Sequence, residues 1–232
     1  MQLLILAGGF GTRLKSVLDT NTPKPMAPVG DTVFLEHQLI NWKMQGVNKF
    51  IFLLYYNSDV IIKFVERIKN TVLKNCSIDF VVEEIPLDTG GAIVNAIKIL
   101  NISTDFFVIN ADTWLKLGIE QMLNSKSPAI GVIQVNDTSR YGIVDFNDDG
   151  FVSNFSEKKI GCKGWVNAGI MHLSPENFDL TNTDKFSLER DLLPSLVQKN
   201  ILKAIKLDTS FIDIGVPIDY FNFCKLVEDK KL

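Results

Sequence analysis

Cysteine and histidine are scarce in this sequence. Three cysteines (Cys76, Cys162, Cys224) and two histidines (His37, His172) are spread over 232 residues. An odd, scattered set of cysteines without metal-ligand spacing argues against a disulfide framework and suits a reducing cytoplasm. The histidines lie far apart with no third ligand, so both read as structural and no zinc site is expected. Cys162 in Gly161-Cys162-Lys163-Gly164 reads as incidental, and no serine or cysteine carries a nucleophile motif. Net charge is also small, at −3. That argues against a general nucleic-acid binder and leaves any anion site to be local. No apolar run reaches membrane-span length, and Met1 leads into a strand without a basic region, so neither a membrane segment nor a signal peptide is expected. Internal repeats and low-complexity linkers are missing. With 46% hydrophobic residues, the chain can bury one good core, and a single soluble, cytoplasmic domain is the expectation.

What is present concentrates near the start. Leu3-Leu4-Ile5-Leu6-Ala7 reads as a buried strand that empties into Gly8, Gly9 and Gly11 ahead of Arg13. Glycine lets backbone N–H groups approach a ligand, and a guanidinium adds a permanently charged donor fork, so this turn suits a phosphate. A plain strand-to-helix turn with a solvated arginine is the competing reading. Spacing excludes two familiar phosphate loops: no Gly-Lys-Ser/Thr follows, and Leu14 stands where a dinucleotide fingerprint needs glycine. Asp19 to Val29 holds three prolines and reads as an ordered loop. Lys24 within it must reach an anion or stay in solvent, because a buried, unpaired ammonium is costly.

Val33 to Gln45 reads as a helix capped by Asp31 or Thr32 and stopped by Gly46. Strand Phe50–Leu54, helix Ser58–Val72, strand Ile78–Val82, a helix ending near Leu100 and strand Asp105–Ile109 follow. The alternation predicts a Rossmann-like α/β fold: a mixed, mostly parallel central sheet flanked by helices. Asp112 lies just beyond the last of those strands, where α/β folds bind ligands, although strand-end aspartates also serve as caps. Asp213, in Phe211-Ile212-Asp213-Ile214-Gly215, repeats the pattern, with Pro217 at the first turn of a closing helix to Asp229. Between them, Ala129–Val135, Tyr141–Phe146, Phe151–Phe155 and Trp165–Leu173 read as a small antiparallel insert, with Asn147 to Gly150 as a hairpin turn. Ser187–Lys199 and Ile201–Leu207 read as helix and strand.

Ala7-Gly8-Gly9-Phe10-Gly11-Thr12-Arg13-Leu14, followed by Pro23-Lys24-Pro25-Met26, resembles the signature of the sugar-1-phosphate nucleotidyltransferases, and the resemblance runs from Leu3 to about Tyr220. It implies that a sugar 1-phosphate oxygen attacks the α-phosphorus of a nucleoside triphosphate and expels pyrophosphate. It implies that Leu6, Ala7, Gly8, Gly9, Gly11, Thr12, Arg13 and Lys24 hold the nucleotide, and that Arg13, Lys24 and Asp112 are catalytic. The loop with Glu84, Asp88, Thr89 and Gly90 would approach the base. Asp88 departs from the glycine that family members often carry there. Tyr141, Gly142, Glu157, Lys158, Asn167 and Gly169 would hold the sugar phosphate. Asp112 and Asp213 would hold Mg²⁺, a hard cation that prefers carboxylate and phosphate oxygens. Residues 1–112 would form the nucleotide-binding half and 113–232 the sugar-phosphate half of one domain. No hexapeptide repeat follows, so the β-helical domain of some members is not expected.

Within the family, Ser16-Val17-Leu18, Pro23 to Val29, Phe34-Leu35-Glu36 and Phe211 to Pro217 most resemble short guanylyltransferases acting on D-glycero-α-D-manno-heptose 1-phosphate. That implies GTP and a manno-configured heptose 1-phosphate, in a surface-polysaccharide setting. Guanine presents two adjacent donors that one carboxylate can accept, and Glu83, Glu84 and Asp88 are the candidates; backbone groups are the alternative. Mannose 1-phosphate guanylyltransferases and short uridylyltransferases share this framework. From other classes, a metal-dependent glycosyltransferase would not need the glycine loop, and a non-catalytic nucleotide-binding subunit would be expected to have lost Arg13, Lys24 or an aspartate. Oligomeric state stays open, with a homodimer among the options.

Overall fold

The computed structural model describes residues 1–11, 14, 16–19, 21–181 and 185–231. The chain begins with β1 (Gln2–Leu6), β2 (Pro28–Val29), β3 (Thr32–Val33), α1 (Phe34–Met44), β4 (Lys49–Leu54), α2 (Ser58–Ile68) and β5 (Ser77–Val82). It continues as α3 (Asp88–Leu100), β6 (Phe106–Asn110), β7 (Thr113–Leu115), α4 (Gly118–Met122), β8 (Ala129–Val135), β9 (Ile143–Phe146), β10 (Val152–Ser156) and β11 (Gly164–Leu173). It closes with α5 (Leu193–Gln198), β12 (Lys203–Lys206), β13 (Phe211–Asp213) and α6 (Pro217–Glu228). The class is the expected one, α/β with a mostly parallel central sheet flanked by helices. Two compact units form: Met1–Pro86, Ile109–Lys116 and Ser210–Leu232 make the first, and Leu87–Val108 and Leu117–Thr209 the second.

In the first unit β1 runs parallel to β4, and β4 to β5, with Leu4 opposite Ile51 and Phe52 opposite Phe80. Leu3–Ile5 and Phe50–Leu54 are buried, as near-continuous apolar runs of parallel strands should be. Helix α2 buries Ile61, Phe64, Val65 and Ile68. It stops at Ile68, short of the expected Val72, and the following turn sends Leu73 rather than Val72 into the core. Neither Asp31 nor Thr32 caps α1. Val33 precedes the helix without a side-chain cap, Thr32 donates to Glu36, and the Phe34 N–H is met by the Ala27 carbonyl at 2.9 Å. A second core joins distant segments: Leu14, Ala27, Val29, Phe34, Trp114, Ile214, Tyr220 and Phe223. The Phe223 ring sits edge-on to Phe34 at 4.7 Å and against Trp114 at 5.2 Å. This cluster fixes the proline loop, the antiparallel β7–β13 pair and α6 to one another.

In the second unit β8 pairs antiparallel with β11 and parallel with β12, while β9 and β10 form the expected hairpin. The Asn147 N–H closes that hairpin on the Phe151 carbonyl at 2.9 Å. The helix expected over Ser187–Lys199 divides: a wide π turn, Leu188–Leu192, precedes α5. Pro194 explains the break, because it has no N–H to continue a regular α ladder. His172 has a packing role. Its Nδ1 lies 2.9 Å from the Ser125 hydroxyl, its Nε2 is 3.3 Å from Asp105, and its ring stacks on Phe107. Among the described residues no helix is long and apolar enough to cross a membrane.

Candidate active site

The glycine turn leaves β1 as the strand ends. The Ala7 N–H still pairs with the Leu53 carbonyl at 3.0 Å, and Gly8 then passes close to Tyr55. Of the three glycines only Gly11 takes a positive φ, +59°. A Cβ there would stand 3.4 Å from the Lys24 Cβ, so the turn and the proline loop approach each other at that residue. Thr12 and Arg13 lie outside the described residues.

Lys24 is buried, and it pairs with a carboxylate of the same chain. Its Nζ donates to Asp112 Oδ2 at 2.5 Å, 88 residues along the chain. Pro23 and Pro25 flank it in a short 3₁₀ turn, Lys24–Met26, that the Met26 N–H closes on the Pro23 carbonyl at 2.8 Å. Asp112 is fixed through its backbone. The Ala111 N–H donates to the Leu6 carbonyl at 3.1 Å, and the Ile214 N–H donates to the Asp112 carbonyl at 3.0 Å. Asp213 pairs with Thr113 in the β7–β13 ladder, so the two aspartates stand one step apart in register on adjacent segments. The Gly215 N–H donates to Asp213 Oδ1 at 2.7 Å, and a Cβ on Gly215 would collide with that oxygen.

Among the described residues no three metal-ligating side chains are gathered together. The donor chemistry nonetheless suits Mg²⁺, which takes one or two carboxylates plus phosphate and keeps several waters. Asp112 and Asp213 supply two hard oxygen donors, and Lys24 already places a cation on one of them.

The loop entering α3 is more committed than its sequence suggests. Asp88 takes φ +62°, a conformation glycine adopts more freely. Its carboxylate compensates, accepting the Thr89 N–H at 2.8 Å and pairing with Arg190 at 2.7 Å. The Thr89 hydroxyl donates to Glu189 at 2.7 Å and accepts the Leu188 N–H. The Gly90 and Gly91 N–H groups both point to the Phe186 carbonyl, and a Cβ on Gly90 would meet the Phe186 ring at 2.3 Å. Glu83 is buried and Glu84 is exposed. Nothing local in the sequence points to Phe186, Glu189 or Arg190. They lie about a hundred residues from their partners, and no local spacing announces the contact.

In the second unit, the sugar-side candidates lie on or beside the ends of β9, β10 and β11, of which β9 pairs with the other two. Ile143 lies opposite both Ser156 and Val166 in antiparallel pairs. Gly142 just precedes β9, where a Cβ would stand 3.7 Å from the Ser156 carbonyl, and Glu157 just follows β10. Asn167-Ala168-Gly169 interrupts the β11–β8 register as a bulge. Gly169 has φ +75°, and its N–H donates to Asn167 Oδ1 at 2.8 Å. Bulges of this kind re-aim side chains and concentrate beside active sites. Glu157 and Lys158 are exposed.

The sequence profile of the family described as Nucleotidyl transferase matches residues 2–230. A D-glycero-alpha-D-manno-heptose 1-phosphate guanylyltransferase of Campylobacter jejuni is 37% identical over 225 residues, 96% of this chain and 98% of that protein. The mannose-1-phosphate guanylyltransferase catalytic subunit beta of Xenopus tropicalis is 31% identical over 96% of this chain and 63% of its own length. In three dimensions the chain is similar to HddC from Yersinia pseudotuberculosis complexed with GMP-PN. The TM-score is 0.84 at 38% identity, covering 97% of this chain and 99% of that one.

Proposed function

Because this chain belongs to the nucleotidyl transferase family, we propose that it transfers GMP from GTP to D-glycero-α-D-manno-heptose 1-phosphate, giving GDP-heptose and pyrophosphate. The end-to-end likeness to guanylyltransferases supports the substrates. The observation that carries the chemistry is the pairing of buried Lys24 with half-buried Asp112 beside Gly11. Buried ion pairs contribute little net stability relative to apolar packing. Such a pair is understandable where each charge has a second partner in the working enzyme: phosphate for Lys24, a cation for Asp112.

The reaction needs no protein nucleophile, since the sugar phosphate is already ionised. One of its oxygens forms a bond to the α-phosphorus while the bond to pyrophosphate breaks. The protein positions two anions and offsets their charge. Lys24 and the loop at Gly8, Gly9 and Gly11 are assigned to the triphosphate; on the sequence motif alone Thr12 joins them, and Arg13 is assigned the charge on the departing pyrophosphate. Mg²⁺ held by Asp112 and Asp213 would supply further charge neutralisation. Tyr141, Gly142, Glu157, Lys158, Asn167 and Gly169 hold the sugar phosphate, with Lys158 opposing its charge. Of the three acids considered for guanine, Asp88 is engaged by Thr89 and Arg190, and Glu83 is buried. Glu84 is therefore the acid assigned to the base, and Asp88 holds the first turn of α3. Three free cysteines and two small-molecule substrates suit a cytoplasmic enzyme.

A mannose acceptor is the second reading, favoured by the likeness to mannose-1-phosphate guanylyltransferases over nearly the whole chain. Pyrophosphate release by the purified protein with Mg²⁺, across nucleotides and sugar 1-phosphates, tests both. The proposal expects GTP with the heptose 1-phosphate to be fastest. Faster turnover with mannose 1-phosphate would replace the acceptor, and no pyrophosphate from any pair would refute the activity.

A further inference from the structure

We infer that Gln38 is a positioning residue for Asp112, acting through the Thr113 carbonyl. The inference rests on the role proposed for Asp112 above. Three peptides in a row, 111 to 113, are each tied to a different element. The Ala111 N–H goes to Leu6 of β1, the Asp112 carbonyl accepts from Ile214 beyond β13, and the Thr113 carbonyl accepts from Gln38 Nε2 of α1 at 2.9 Å. Two of these ties are backbone to backbone, and the third depends on a side chain. The Thr113 hydroxyl in turn lies 3.4 Å from Asp112 Oδ1, so the tie reaches the carboxylate within one residue.

Gln38 is wholly buried, and its Oε1 has no hydrogen-bond partner among the described residues. A buried acceptor left unpaired is destabilising, and an apolar side chain of similar length would remove it. What the amide supplies in return is the donor to Thr113. Gln38 also heads a stripe. Asn41 Nδ2 donates to the Leu115 carbonyl at 2.8 Å and Gln45 Nε2 to the Lys116 carbonyl at 3.1 Å. Positions 38, 41 and 45 share one helix face. Two amides of α1 and one at its C-cap thus hold β7 and its continuation, and the nearest of them to Asp112 sets where the carboxylate meets Lys24.

The test compares Gln38→Met with Asn41→Leu, which removes a tie farther from Asp112. Gln38→Met is expected to lower kcat by about 10- to 100-fold, the scale on which small misplacements act, with both KM values within about twofold of wild type. Asn41→Leu is expected to lower melting temperature at least as much but kcat by less than about threefold. In lysine-selective ¹H–¹⁵N spectra of the substrate-free protein, the Lys24 ammonium resonance should shift or broaden in Gln38→Met and not in Asn41→Leu. Should Gln38→Met fail to fold, Gln38→Glu keeps size and shape. Only its protonated form can donate to Thr113, so its activity relative to wild type should rise as pH falls from about 8 to about 6. Wild-type kcat and an unmoved Lys24 signal in Gln38→Met, or a flat ratio in Gln38→Glu, would overturn the inference. A wild-type protein that turns over no substrate pair would instead refute the proposed function, and the Lys24 resonance would still decide the role of Gln38.

Discussion

The charged residues of the first unit and the sugar-side strands of the second are held in opposite ways. In the first, Lys24 is buried against Asp112, the Asp112 backbone is tied on both sides, and Asp213 is fixed by the Gly215 N–H. On the sugar-side strands of the second, Glu157 and Lys158 stand exposed after β10, while the Asn167 side chain accepts from the Gly169 N–H at the bulge. Groups that stabilise charge as it develops are most effective when they need no reorganisation, whereas groups that only hold a substrate can remain exposed. The contrast divides the kinetics accordingly: changes at Lys24, Asp112 and Asp213 should act on kcat, and changes on the sugar-side strands on the KM for the sugar phosphate.

The sharpest break would come at the aspartates. Asp112→Asn and Asp213→Asn should each abolish turnover nearly completely, and EDTA should do the same to wild type; substantial turnover in both variants with Mg²⁺ present would remove the metal assignment. Arg13→Ala should lower kcat by about 10²–10³, the usual loss for one transition-state donor. Arg13→Lys should not fully restore it, because the planar fork is lost. Lys158→Ala should raise KM for the sugar phosphate by about tenfold, roughly the value of one charged hydrogen bond, while leaving kcat and the nucleotide KM close to wild type. Equal effects on both KM values would erase the contrast between the units.

The smallest expected effect concerns the core beneath the first unit's site. Burial pushes the Tyr220 phenol up to about 12, and its hydroxyl donates to the Pro28 carbonyl at 2.6 Å. The native state therefore keeps this proton longer than the unfolded chain does. The resulting stability is present below about pH 10 and is lost as pH rises from about 10 to about 12. Discounted for partial exposure, it amounts to about 1 kcal/mol. Denaturant melts of Tyr220→Phe should show lower stability at neutral pH and a shallower decline over that alkaline window. An equally steep decline in the variant would assign the alkaline loss to other groups.

Much of the scaffold is legible locally. β1 and β4 are continuous apolar runs, and the β9–β10 hairpin is announced by Asn147 to Gly150. Long-range partners are not. The sequence leaves Lys24 a choice between an anion and solvent, and the structure supplies an anion from 88 residues away. Asp88 is visible as a departure from glycine, but its compensation by Arg190, 102 residues on, is not. Pro194, readable in the sequence, marks the break before α5 that a periodic apolar pattern conceals. The return of Ser210–Leu232 to the first unit likewise depends on Ile214, Tyr220 and Phe223 meeting Leu14 and Phe34 in one core. No local pattern near residue 210 encodes it.

Base selection tests the central claim most directly. With D-glycero-α-D-manno-heptose 1-phosphate saturating, kcat/KM should be measured for GTP and UTP on the same preparation. A carboxylate that the bound base covers, and that pairs with both guanine donors, is left unpaired by uracil, a difference of a few kcal/mol. GTP should therefore be preferred by at least about 10², and Glu84→Ala should erode that preference. A preference for UTP would contradict the guanylyltransferase assignment.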